Sequence, residues 1–174
     1  MAGGAVAEHN IVLTGFMGSG KSSVGAALAA VLGRRFVDTD AVIAERYGPI
    51  PAIFAEHGEA AFRTREQELA DELAGETALV VSTGGGMLID PAIAERFESS
   101  GRVFCLTASP ATTIHRVRAD GIVDRPLLDT ADPEARVAEL LAERSEAYAR
   151  FEAVPTDGRT VAEIVDDILI RIRG

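Results

Sequence analysis

Apolar positions along the 174-residue chain alternate between short runs and longer stretches of helical spacing. The runs are Ile11-Val12-Leu13, Phe36-Val37 within 35–37, Leu79-Val80-Val81 within 78–82, Val103 to Leu106 within 102–107, and a weaker one at 153–156. The run at 78–82 is almost wholly apolar, as a strand covered by helices on both faces must be. Between the runs, apolar residues recur every three or four positions, the signature of amphipathic helices. They predict helices over 24–32 (Val24, Leu28, Val31, Leu32, with Gly33 placed to end it), 41–47, 51–73, 91–98, 110–118, 133–151 and 161–173. In the last, Val161, Ile164, Val165, Ile168, Leu169 and Ile172 form a stripe expected to cover a sheet. Strands alternating with helices imply an α/β domain.

Two helices carry charge inside their apolar stripe. In 51–73, Glu66 lies in a row with Phe62, Leu69 and Leu73, with Arg63 one turn before it. A solvated ion pair is the simpler reading of Arg63 and Glu66, although a guanidinium beside a pocket would bind a carboxylate well. In 133–151, Val137, Leu140, Leu141, Tyr148 and Phe151 define one face, and Arg144 projects from its middle. A charge there needs a partner, either water reached by snorkelling or an anionic ligand.

The junctions between elements carry the chemistry. Residues 15–22, Gly-Phe-Met-Gly-Ser-Gly-Lys-Ser, fit G-x-x-x-x-G-K-[ST] between a strand and a helix. Glycines let successive N–H groups turn onto a polyphosphate, and the helix N-terminus adds partial positive charge. Gly18, Ser19, Gly20, Ser22 and Ser23 would line the phosphates, Lys21 would meet the β/γ groups, and the Ser22 hydroxyl would face Mg²⁺. Lys21 is the only lysine of the chain. A slim ammonium fits between phosphates where a guanidinium fork does not. The second strand ends at Asp38-Thr39-Asp40, so two carboxylates reach the ligand edge of the sheet. One can face the metal and the other an acceptor group; the alternative is that Asp38 or Thr39 caps the next helix. The third strand runs into Thr83-Gly84-Gly85-Gly86 and ends in Ser82 where many nucleotide sites carry an Asp, which leaves Asp38 as the metal carboxylate. Residues 119–129 are polar, contain Gly and Pro, and join two helices; closure of such a loop would bring Arg125 onto a phosphate donor.

Composition narrows the function. A formal net charge of −10 without a basic cluster argues against nucleic acid and anionic membranes as partners. Cys105 is the only cysteine, which excludes disulfide frameworks, and its apolar surroundings suit a buried core residue. Residues 1–10 read as a loose tail without an export signal, and no apolar run is long enough to span a membrane, so the cytoplasm is the expected location. No oligomer interface is evident, and a monomer is expected.

Taken together, 15–22, Asp38-Thr39-Asp40, Phe62-Arg63 with Glu66, Ser82 to Gly86, Arg125-Pro126-Leu127-Leu128, and Arg144 with Tyr148 resemble the shikimate kinases. The resemblance runs from Ile11 to about the last helix. It implies a single three-layer α/β/α P-loop domain over 1–174, with a five-stranded parallel sheet and a mobile lid at about 118–129. It implies phosphorylation of the shikimate 3-hydroxyl by ATP with Mg²⁺, a step toward chorismate and the aromatic amino acids. By position it implies that Asp40, Arg63, Glu66, Gly84, Gly85, Gly86 and Arg144 hold shikimate, with Phe54 and Phe62 walling the ring. Asp38 and Ser82 would hold Mg²⁺ through water with Ser22, Arg118 would flank the adenine, Arg125 would be the lid arginine, and Asp40 the base. A kinase for another small polyol acid such as gluconate, whose family typically lacks the triple glycine, and an inactive nucleotide-binding relative are the alternatives.

Overall fold

The computed structural model describes residues 9–120 and 131–174. Five strands, β1 (Asn10–Thr14), β2 (Arg35–Asp38), β3 (Leu79–Ser82), β4 (Gly101–Thr107) and β5 (Glu152–Pro155), form one parallel sheet in the order β2-β3-β1-β4-β5. Among the described residues eight helices accompany it: α1 (Lys21–Leu32), α2 (Thr39–Tyr47), α3 (Ile50–Ala74), α4 (Pro91–Ser100), α5 (Pro110–Ala119), α6 (Pro133–Glu143), α7 (Ser145–Ala149) and α8 (Val161–Arg173). A 3-10 turn at Met87–Ile89 follows β3.

Strand side chains alternate between the two faces of the sheet, and the two cores follow that alternation. Ile11, Leu13, Val80, Phe104, Leu106 and Val154 pack under α1 and α8. Val12, Val81, Val103 and Cys105 pack under α3 and α4 on the other face. The expected three-layer α/β/α fold with five parallel strands is therefore present. A third, smaller cluster of Phe16, Ile114 and Val137 joins the loop after β1 to α5 and α6.

Several boundaries differ from the pattern-based reading. Asn10, assigned to a loose tail, is the buried first residue of β1. Its amide nitrogen donates to the carbonyls of Leu73 (3.3 Å) and Glu76 (2.9 Å), and its oxygen accepts from the Leu79 N–H at 2.9 Å. One polar side chain thus ties the end of α3 to the start of β3, satisfying backbone groups that lack regular partners there. The helix read as 51–73 bends at Gly58, whose φ of 79° and ψ of 171° interrupt α3. The helix read as 133–151 divides at Arg144 (φ −97°, ψ 0°) into α6 and α7. Val161, counted in the sheet-covering stripe, and Val31, counted in the apolar spacing of 24–32, are 38% and 62% exposed. Val161 opens the first turn of α8, ahead of the point where that helix meets the sheet. Val31 lies in the last turn of α1 on its outer side.

Candidate active site

In an open parallel sheet, ligands gather beyond the C-terminal strand edge where consecutive connections leave in opposite directions. That point here lies at β1, flanked by β3 on one side and β4 on the other. A cleft of about 830 Å³ opens there, in the size range of small-molecule sites. Its lining combines residues 17–24, Asp38, Asp40, Phe54, Phe62, Arg63, Glu66, 82–86 and Arg144.

The loop between β1 and α1 builds one part of it. Gly15 has a φ of +134°, and a side chain there would collide with the Leu106 carbonyl, so only glycine lets the loop pass over β4. Lys21, at the first position of α1, is 8% exposed. Its ammonium donates to the carbonyl oxygens of Gly15 at 2.8 Å and Phe16 at 2.9 Å. Burial lowers its pKa from 10.5 to about 8, against the opposing pull of Asp40 and Asp38. Ser22 donates to Asp38 Oδ2 at 2.6 Å. The other oxygen of Asp38 accepts from the N–H groups of Asp40 (3.1 Å) and Ala41 (3.2 Å), capping α2. Asp38 therefore does cap α2, and the cap occupies one oxygen while the other stays on Ser22 at the cleft. Ser82 is the strand partner of Asp38 and is buried beside it at the cleft.

The other part comes from four separate segments. Asp40 sits in the first turn of α2, and burial together with the nearby Asp38 raises its pKa against the pull of Lys21 and Arg63. Thr39, fully buried, accepts from the Gly84 N–H at 3.0 Å and holds the glycine segment beside it. A Cβ on Gly84 would stand 2.6 Å from Asp40 Oδ1. One on Gly86 would crowd the Arg63 guanidinium at 3.2 Å, and one on Gly85 would meet Gly15 O at 3.4 Å. The three glycines bring backbone into contact with the polar side chains around it, which is why a flexible turn would not need all three.

Arg63 pairs with Glu66 at 2.6 Å and with Glu59 at 3.2 Å. Glu66 is only 2% exposed while the Arg63 side chain keeps 40% exposure, so the solvated ion pair suggested by the sequence is corrected to a half-buried one with the carboxylate inside. α3 turns this face inward at the cleft. Burial raises the Glu66 pKa, the Arg63 pairing opposes it, and Asp40 adds to the rise. Phe54 and Phe62 stand 4.8 Å apart between ring centroids, and Arg63 lies 5.5 Å over the Phe62 ring. Arg144, at the break between α6 and α7, lies 5.2 Å over the Phe16 ring.

All the expected described residues except one border this cleft. Arg118 is exposed and borders a separate depression with Ala111, Ile114, His115, Ala119 and Glu134. The helical phase of α5 explains this. Val117 and Thr113 pack against Gly18 and Arg116 turns to the cleft, leaving Arg118 on another side. Arg125 and most of the expected lid lie outside the described residues. The sequence reading missed Arg116, Arg159, Thr160 and Val161, which border the cleft on the β4–β5 side. Arg116 donates to Gly18 O at 3.2 Å and to the hydroxyl and carbonyl of Thr156, each at 2.9 Å. The exposed Val161 opening α8 was the available signal for that side, but its spacing matched the sheet-facing stripe.

The shikimate kinase family matches residues 17–173 of the chain. A shikimate kinase from Geobacter metallireducens is 42% identical over 168 residues, covering 95% of this chain and 93% of that protein. One from Thermus thermophilus is 42% identical over 165 residues, covering 93% and 89%. Among solved structures, shikimate kinase from Acinetobacter baumannii in complex with shikimate aligns with a TM-score of 0.86 and 36% identity, covering 95% of this chain and 93% of that one. With matches spanning nearly its whole length, the chain belongs to the shikimate kinase family.

Proposed function

We propose that this chain transfers the γ-phosphoryl group of ATP to the 3-hydroxyl of shikimate, with the triphosphate on the loop 15–22 and shikimate between α2, α3 and the glycine segment. One observation carries the placement: Lys21 and Asp40 stand at the same strand edge, close enough for each to shift the other's pKa. The phosphate-facing cation and the acceptor-facing carboxylate are therefore neighbours, as in-line transfer between two bound substrates requires.

Asp40 accepts the proton of the 3-hydroxyl as its oxygen bonds to the γ-phosphorus and the bond to the ADP oxygen breaks. Its raised pKa makes it a stronger base than an ordinary aspartate. Lys21 leaves the carbonyls of Gly15 and Phe16 for the phosphate oxygens, where negative charge restores its preference for the ammonium form. Arg63 and Arg144 hold the shikimate carboxylate, Phe54 and Phe62 wall the ring, and Glu66 fixes the Arg63 guanidinium. Ser22 would hold Mg²⁺ directly and Asp38 and Ser82 through water, since the three present the hard oxygens that suit it. Bound there, Mg²⁺ would neutralise phosphate charge. Arg116, Arg159 and Val161 border the side left for the nucleoside, and Arg125 would close over the phosphates. The acidic surface fits a cytoplasmic monomer without nucleic-acid or membrane partners; among the described residues no helix is long and apolar enough to cross a membrane.

A coupled ADP-release assay with shikimate, quinate, gluconate and no acceptor tests the reading. Turnover should depend on shikimate, and the product should carry phosphate on O3. Faster turnover with gluconate, or ADP release indifferent to acceptor, would contradict it.

A further inference from the structure

Tyr148 lies one turn after Arg144, within the five-residue helix α7. A helix that short does not hold itself in water, so its position depends on what it packs against. α7 rests on the 3-10 turn that follows the glycine segment, and the Tyr148 ring packs against both the α3–α4 core and the Phe16 cluster. Its hydroxyl donates to the Gly85 carbonyl at 2.7 Å, and the Arg144 guanidinium reaches the same glycine, its Nη1 3.8 Å from where a Gly85 Cβ would stand. Burial holds the phenol above its ordinary pKa, so the hydroxyl keeps the proton it donates.

A half-buried tyrosine usually finds some backbone acceptor for its hydroxyl, and that alone would make Tyr148 a core residue with a satisfied polar tip. Two features go further. The acceptor is the middle glycine of the segment that faces Asp40 and Arg63 at its other positions. The same glycine also neighbours the one arginine that enters the cleft from this side of the molecule without a carboxylate partner of its own among the described ion pairs. Arg144 stands at the junction of α6 and α7, so the packing of both helices, α7 included, decides where its side chain enters the cleft.

We propose that Tyr148 is a positioning residue for the acceptor site, its hydroxyl holding the Gly85 carbonyl beside the Arg144 guanidinium so that arginine and glycine segment meet the acceptor carboxylate in one fixed geometry. The inference rests on the placement of the acceptor proposed above. Phenylalanine at 148 keeps the ring and its packing while removing the link.

The test compares parent, Tyr148→Phe, Arg144→Ala and the double variant, each for kcat, KM for shikimate, KM for ATP and Tm. Leaving the half-buried Gly85 carbonyl without its partner predicts a shikimate KM raised about five- to thirtyfold in Tyr148→Phe, with the KM for ATP changed less than about twofold. Because the hydroxyl acts by setting Gly85 against Arg144, adding Tyr148→Phe to Arg144→Ala should raise the shikimate KM by less than about twofold more. Additive losses, or a Tyr148→Phe variant in which both KM values move together with a lowered Tm, would make Tyr148 a structural residue and overturn the inference. If Arg144→Ala raises the shikimate KM and Tyr148→Phe leaves it unchanged, the inference falls while the acceptor placement stands. If Arg144→Ala itself leaves that KM unchanged, both fall.

Discussion

The proposed phosphate side and the proposed acceptor side of the cleft are built on opposite plans. The first is one continuous loop, 15–22, made of backbone and the first residues of α1. The acceptor side is assembled from α2, α3, the glycine segment and the α6–α7 junction, which span more than 100 residues of sequence. Local chain geometry sets the first, and tertiary packing sets the second. The loop should therefore lose chemistry when a functional atom is removed but keep its shape. The acceptor side should be sensitive even to changes that remove nothing, because its side chains are held against one another.

The largest expected effect is on the phosphate side. Lys21→Ala should lower kcat by roughly 10³–10⁵, the range for cations placed on a transferring phosphoryl group. Circular dichroism should show the fold retained, and a folded variant with near-normal turnover would break the assignment. The parent offers a gentler probe of the same group. With the ammonium pKa lowered to about 8, kcat/KM for ATP should be steady below that pH and fall above it as Lys21 loses its proton. Bound triphosphate stabilises the charged form, so the fall in kcat at saturating ATP should lie at higher pH.

Asp40→Asn comes next, with kcat lowered roughly 10²–10⁴ as general-base assistance is lost. ATP affinity measured by titration should stay near that of the parent. Gly84→Ala sharpens the contrast, since it adds one methyl and removes no functional group. Its Cβ would stand 2.6 Å from Asp40 Oδ1, so the carboxylate or the glycine segment must move. A shift of that kind predicts kcat down by about 10² with ATP binding little changed. A normal kcat in Gly84→Ala would mean that the acceptor side is not tightly packed. The smallest effect is expected for Asp38→Asn, which keeps one hydrogen-bonding oxygen and should mainly raise the Mg²⁺ concentration for half-maximal rate, by about tenfold. A matched loss of the same parameters in Asp38→Asn and Asp40→Asn would erase the division between the two sides.

The same contrast explains what could be read from the sequence. Strand and helix positions were legible because the central strands, facing two cores, read as short apolar runs, and the long helices show a 3.6-residue stripe. The phosphate loop was legible because all its parts are adjacent in sequence. The bend at Gly58 was not, since one glycine costs a helix only about 1 kcal/mol and does not by itself signal a break. The break at Arg144 had no local signal, because neither Gly nor Pro marks it and the apolar spacing of Leu141 and Tyr148 continues across it. The stripe placed Glu66 on the inner face of α3, but its burial depends on where α3 docks, which periodicity does not encode. Arg116 and Arg118 differ by two positions on one helix, and only the packing of Val117 and Thr113 beneath Gly18 decides which of them faces the cleft.

The central claim is that arginines drawn from distant parts of the chain, Arg63 and Arg144, read the acceptor's carboxylate. Equilibrium binding of shikimate and of an analogue lacking the carboxylate, to the parent and to Arg144→Ala, tests it most directly. Hydrogen bonds to a charged group contribute about 1.5–3 kcal/mol, so the parent should bind shikimate roughly ten- to a hundredfold tighter than the analogue. Arg144→Ala should lose most of that preference while binding the analogue about as well as the parent does. If the substitution and the missing carboxylate weaken binding additively, Arg144 does not meet the carboxylate and the acceptor side must be drawn elsewhere.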